Sequence, residues 1–159
     1  MDSPNTVTHI TNISTEQSLY ERDFYQWALH NAELLKQGKL AEIDIYNIAE
    51  ELEDMGRNNK RELESRLAIL IMHLLKWQYQ AKHRCRSWIT TINTQRMDIE
   101  LLLKNSPSLK HKIEITIEES FVNAKRLFEN ETSINQNILP ETCPYTFEEI
   151  INHKFRPEK

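Results

Sequence analysis

Leu63, Leu67, Leu70, Leu74 and Trp77 follow one another at steps of four, three, four and three. That spacing returns a side chain to the same helical face every two turns. The five residues therefore form one seam that packs lengthwise against other helices at a shallow angle. Ile69, Ile71, Met72 and Leu75 widen the seam, which predicts a central helix near 57–79 with apolar contacts on more than one side. Breakers are scarce: the 159 residues include two Gly and five Pro. With so many Leu, Ile, Glu, Lys and Gln, the chain favours helix over sheet. Its length suits one domain with one core.

Other segments carry the same 3.6-residue signal. Ser14 with Gln17 is a candidate capping box for a helix that carries Tyr20, Phe24, Trp27, Ala28 and Leu35 and ends near Gly38. Asp44 suits the N-cap of the next helix. Ile45, Ile48, Leu52 and Met55 then recur at steps of three, four and three, and the helix is expected to run nearly unbroken through Gly56 at a cost of about 1 kcal/mol. A polar and basic interruption at 79–86 precedes a third helix bearing Trp88, Ile92, Ile99 and Leu102 or Leu103. Pro107 fits the first position of a fourth, capped by Ser106, with Ile113, Ile117, Phe121, Ala124 and Phe128 as its face. Thr146 with Glu149 predicts a short closing helix near 147–152. The expected fold class is all-α: a single-domain bundle of four main helices plus a short C-terminal helix over 16–159, behind a flexible polar tail at 1–15. Trp27, Leu67, Leu70, Leu74, Trp77, Trp88, Ile92 and Phe121 are expected to be mostly buried.

The formal charge of −4 hides an uneven distribution. Residues 1–64 carry net −7 and residues 98–159 net −3. Residues 65–97 hold Arg66, Lys76, Lys82, Arg84, Arg86 and Arg96 with no acid at all. Such a band either pairs with the acidic segments of its own fold or of a second subunit, or stays free for a ligand. Residues 1–15 lack the pattern of a signal peptide, and "LAILIM" at 67–72 is too short to cross a bilayer. Cys85 and Cys143 match no metal spacing. A cytoplasmic protein with reduced thiols, no cofactor and no membrane partner is the expectation.

Three chemistries compete. Glu50, Glu51, Glu53 and Asp54 form a carboxylate cluster upstream of His73, which suggests a metal-dependent enzyme, since helical bundles hold metals with inward Glu and His. If the helix continues through Gly56, however, Glu53 and His73 stand about 30 Å apart along its axis. His73 reads either as a core histidine donating to a backbone carbonyl or as a base or ligand at a pocket. Lys82, Arg84 and Arg86 offer phosphate contacts, with Trp88 or Tyr79 for base stacking, which suggests nucleic-acid binding. The opposed charge segments, the seam and the lack of a complete catalytic set suggest instead a non-enzymatic protein-interaction module, acting as a homodimer or with another protein.

"LYERDFYQWALHNAELLKQGKL", "NIAEELEDMGRNNKRELESRLAILIMHLLKWQYQ", "RSWITTINTQRMDIELLLKNSPSL" and "LPETCPYTFEEII", in this order, resemble the bacterial family known as domain of unknown function 29, over residues 19–157. The family's usual Gly-Arg-Ser stands here as Gly56-Arg57-Asn58, and its common Tyr-Gln-Pro as Tyr79-Gln80-Ala81. The resemblance implies an all-helical fold and brings no established activity. Its motifs include Glu50, Glu53, Gly56, Arg57, His73, Trp77, Arg86 and Trp88. Of these, Glu50, Glu53, Arg57, His73 and Arg86 form the candidate functional cluster.

Overall fold

Capping chemistry decides where the first helices begin. In a computed structural model that describes residues 17–158, Ser18 and Glu21 form a reciprocal capping box that opens α1, Leu19–Arg22. Asp23 then leaves helical geometry, and its carboxylate accepts from the Gln26 N–H at 3.0 Å to start α2, Phe24–Lys36. A single helix was expected here. Asp23 splits it because a short carboxylate caps a new N-terminus better than it continues an old helix. The expected start at Ser14 and the tail at 1–15 lie outside the described residues. α2 ends in a Schellman arrangement: Gly38 at φ +70° donates to the Leu35 carbonyl and Lys39 to that of Leu34.

α3 runs unbroken from Ile45 to Tyr79 through Gly56. Asp44 caps it, accepting from the Asn47 N–H at 3.3 Å. A one-turn 3₁₀ segment at Ala81–His83 leads to α4, Arg86–Asn105. Pro107 does not open the next long helix, as expected of it. It starts a 3₁₀ turn, Pro107–Lys110, and α5 begins only at Ile113, after Lys112 takes the left-handed conformation (φ 53°). α5 ends at Thr132. The capping box of Thr146 and Glu149 opens α6, Phe147–Ile151. The described residues contain no strand, and the fold is an all-α bundle with four long helices and a short C-terminal one.

The described residues divide into two compact units, 17–52 and 53–158, called unit 1 and unit 2 here. In unit 1 the buried side chains are Trp27, Asn31 and Leu34. Tyr20, Phe24 and Trp27 stack beside one another, with ring centroids 4.8–5.8 Å apart. In unit 2 the seam residues Leu63, Leu67, Leu70 and Leu74 are essentially inaccessible. They join Ile92 and Ile99 of α4, then Ile113, Ile117, Phe121, Ala124 and Phe128 of α5, in one cluster closed by Leu139, Tyr145, Phe147 and Ile150. Trp77 and Trp88, expected in this core, are only half-buried. Each rests on the rim with a cation over its ring.

One charged residue lies inside unit 2. Arg96 has no solvent exposure. Its guanidinium donates to the carbonyls of Glu149 (3.3 Å), Ile150 (2.7 Å) and Phe155 (3.2 Å). These oxygens include carbonyls of the last turn of α6, which carry partial negative charge. Arg96 thereby ties the C-terminal segment to α4. Burial holds its pKa down to about 10, so the side chain remains a cation at neutral pH.

Candidate functional site

Of the candidate cluster of Glu50, Glu53, Arg57, His73 and Arg86, the four residues in unit 2 do not converge on one site. Glu53 and Arg57 meet as neighbours on the solvent face of α3. Arg57 donates to Glu53 at 3.3 Å and also pairs with Asp54, and all three side chains are at least half exposed. Those pairs raise the Arg57 pKa, chiefly through the hydrogen bond to Asp54. Glu50 is exposed in unit 1, within reach of the Tyr46 hydroxyl at 3.5 Å. His73 is buried in unit 2, and its Nδ1–H donates to the Ile69 carbonyl at 2.9 Å. Burial pulls its pKa below the ordinary value, so it is held as a neutral core imidazole. With α3 continuous, Glu53 and His73 lie about 30 Å apart along it. Arg86 is exposed at the start of α4. Among the described residues, no three His, Cys, Asp or Glu side chains gather closely enough to hold a metal ion.

The basic band splits into two halves with different fates. Arg66 pairs with Glu62 (2.9 Å) and Asp98 (2.6 Å), acids that flank the band in sequence. Lys76 pairs with Glu131 at 2.6 Å and lies over the Trp88 ring, 4.4 Å from its centroid. Arg96 is spent on backbone carbonyls. Lys82, Arg84 and Arg86 meet no carboxylate among the described residues. Arg84 Nε donates to the Trp77 carbonyl at 2.8 Å, and its guanidinium stacks 4.9 Å from the Trp77 ring centroid. Lys82 and His83 border a cleft of about 320 Å³, with Tyr79 and Ile134 on its other sides. The cations over Trp77 and Trp88 each occupy a ring face that base stacking would need. Tyr79, the other residue expected to stack, lines the cleft and meets the Phe128 ring edge-on, with centroids 6.2 Å apart.

Unit 1 carries apolar residues outside its inner face, and Tyr25 and Leu29 on α2 were not among the expected ones. On α2, Trp27, Asn31 and Leu34 define the inner face, yet Tyr25, Leu29 and Ala32 recur at i, i+4 and i+7 on another face and are exposed. Tyr25 is 75% and Leu29 55% exposed. On α3, Ile45, Ala49 and Leu52 repeat the same spacing in solvent, with Ile45 at 64% and Leu52 at 63%. A legible signal was present: α2 is apolar around more of its circumference than a one-sided surface helix needs.

The inner side of unit 1 is held by polar chemistry. Asp44 accepts from Trp27 Nε1 (2.9 Å) and from the Asn47 side chain (2.7 Å). Its own N–H donates to Asn31 Oδ1 at 2.8 Å, and Asn31 Nδ2 donates to the Trp27 carbonyl at 3.0 Å. The Asn47 amide, above all, holds the Asp44 pKa below the usual carboxylate value. Burial pushes the Cys143 thiol up to about 11, which keeps it protonated at neutral pH. No helix among the described residues is long and apolar enough to cross a membrane.

The model of one protein family, the domain of unknown function DUF29, matches residues 19–156. No curated protein and no solved structure matches the chain.

Proposed function

The chain belongs to the DUF29 family, and from its geometry we propose a non-enzymatic protein-interaction module that docks its partner on the outer apolar stripes of unit 1. The carrying observation is the exposure of Tyr25 and Leu29 on α2 and of Ile45 and Leu52 on α3. Lone apolar side chains are ordinary on a surface, but regular stripes on successive helices are the pattern of a docking face. The dispersal of Glu53, His73 and Arg86 supports the non-enzymatic side of the reading. A photo-crosslinking residue at position 29 or 52, in the cell of origin, is expected to give discrete adducts. The same residue at Val122, exposed on α5 of unit 2, is expected to give none. Adducts that are absent, or the same from all three positions, would defeat the proposal.

A second reading rests on a separate observation, the three cations Lys82, Arg84 and Arg86 without carboxylate partners. It makes the corner before α4 a contact for nucleic-acid phosphates. Its mark is binding to RNA or DNA that weakens steeply with salt and loses part of its salt slope in Arg84→Ala. Binding that is absent or insensitive to salt would remove it.

A further inference from the structure

The geometry points to a phosphate site in unit 2, for the free ion or a small phosphomonoester, in the cleft between α3 and the start of α5. The site is independent of the docking face on unit 1. The cleft holds about 270 Å³. Its polar lining comes from three segments: Lys60 of α3, Ser108 and His111 of the turn before α5, and Lys112, Thr116 and Glu119. The last three recur at i, i+4 and i+7, which sets them on one face at the head of α5.

Thr116 carries the inference. It is 6% exposed, and its hydroxyl makes no hydrogen bond among the described residues. Thr90, Thr91, Ser120 and Thr132, on α4 and α5, each donate theirs to the carbonyl four residues back, at 2.7–3.1 Å. Among the described residues, no fully enclosed side-chain oxygen or nitrogen lacks a partner. The Thr116 hydroxyl is therefore not sealed in. It opens into the cleft that its residue lines, as an unused donor at the buried end.

Charge favours an anion there. The side chains of Ser108, His111 and Lys112 meet no partner among the described residues. Lys60 reaches Glu64 only at 3.7 Å, well beyond the roughly 2.7–2.9 Å of a charge-assisted bond. Glu119 forms no ion pair with either lysine among the described residues, so two ammonium groups face one carboxylate across the cleft. α5 adds the positive end of a 20-residue helix whose N-cap side chain makes no capping bond. Glu114 stands in that first turn but outside the lining. Lys112 holds its place in the left-handed conformation, which glycine would adopt at less cost. Donors on three chain segments suit a tetrahedral oxyanion better than a planar carboxylate. Phosphate oxygens can accept from the Thr116 and Ser108 hydroxyls while the lysines balance the charge. Leu109 and Ile115 supply an apolar wall. The volume lies below the usual ligand pocket of about 300–1,000 Å³, which limits the ester to a short carbon chain.

Titration of the isotope-labelled full chain with sodium phosphate, at constant ionic strength, tests this by amide chemical shifts. Saturable shifts are expected at Ser108, His111, Lys112 and Thr116, with a Kd of about 1 mM. Thr116→Val keeps the shape and removes an unpaired hydroxyl. Its stability in urea should hold while its phosphate affinity falls about tenfold. Lys112→Gln should also weaken binding about tenfold, and Glu119→Gln should strengthen it a few-fold. Lys82→Gln, in the corner before α4, should leave these shifts unchanged. Glycerol phosphate should bind at least as tightly as phosphate, and acetate at least about tenfold more weakly. Phosphate binding with the ester rejected would make the ligand the free ion. No saturable shift at these amides, full affinity in Thr116→Val, or acetate binding as tightly as phosphate would overturn the inference.

Discussion

In the described part of unit 1, residues 17–52, Trp27 and Leu34 are the buried apolar residues, whereas eight large ones are exposed, from Phe24 to Leu52. In unit 2, residues 53–158, nineteen are buried and seven exposed. Unit 2 spends its hydrophobic residues on its own core, and its stability follows from burial at roughly 25 cal/mol per Å². Unit 1 holds itself with one tryptophan, an Asp44–Asn31 hydrogen-bond network and aromatic edge contacts. Most of its large apolar side chains lie in solvent. The contrast separates a part that buries its apolar residues from a part that leaves them exposed.

The widest separation should come from a pair of truncations. Phe121, inaccessible in the middle of α5, should cost about 3–5 kcal/mol as Phe121→Ala in urea unfolding. Leu29→Ala should stay within about 0.5 kcal/mol. A comparable loss from Leu29 would make the α2 stripe structural and break the comparison.

The polar anchors of the two units form the next pair. Arg96→Ala leaves the buried Ile150 carbonyl without its donor, while the Glu149 carbonyl keeps the Asn152 N–H and that of Phe155 keeps Arg156, and should cost about 1–3 kcal/mol. Asp44→Ala removes a cap together with the Trp27 and Asn47 bonds, and should cost about 1–2 kcal/mol. Its mark is local: faster hydrogen exchange in the first turn of α3, at the Asn47 amide first. If global unfolding of unit 2 followed Asp44→Ala, the division into two units would not describe stability.

Periodicity reached most of this fold because unit 2 obeys it. The steps through Leu63, Leu67, Leu70 and Leu74, and through Ile113, Ile117, Phe121, Ala124 and Phe128, each mark one buried face. The departures occurred where a single polar residue decides. Asp23 had a side chain able to start a second helix, and Pro107 opened one 3₁₀ turn because the chain turns through Lys112 before α5. Trp77 and Trp88 read as core by size, yet cations stack on them at the rim. Composition alone cannot tell an indole that fills a core from one that seats a guanidinium. The candidate cluster was less legible still. Residue identity brought Glu53 and His73 together, while helix continuity through Gly56 keeps them apart. The charge band was half right as self-complementarity: Arg66 and Lys76 find acids, and Arg96 finds carbonyls instead.

His73 gives unit 2 a pH dependence. Burial holds its folded-state pKa below the ordinary 6.5. The unfolded chain then takes up a proton before the folded one does. The contribution is complete above about pH 6.5 and declines as pH falls through and below it, toward the folded value. Wild-type stability should decrease over that window, and His73→Leu, already weaker at neutral pH, should show a flatter profile there. A profile equally steep in His73→Leu would place the pH sensitivity elsewhere.

The smallest expected effect has the opposite sign. Residues 52–62 of α3 are exposed at every position. Surface pairs support this stretch and the turn after it: Arg57 with Glu53 and Asp54, Arg66 with Glu62, and Lys60 with Glu64 at 3.7 Å. Each such pair is open to solvent and adds little. Gly56 works against them, since glycine in a helix interior costs about 1 kcal/mol relative to alanine. A Cβ added at Gly56 meets no atom within 4 Å, and its φ is not in the left-handed region. Gly56→Ala should therefore stabilise the chain by about 0.5–1 kcal/mol and slow exchange of the neighbouring amides. A gain in stability with crosslinking from positions 29 and 52 unchanged would make the glycine incidental to docking. The same gain with those crosslinks lost would mean that a partner approaches the α3 backbone where only hydrogen fits, and would extend the docking face past Leu52.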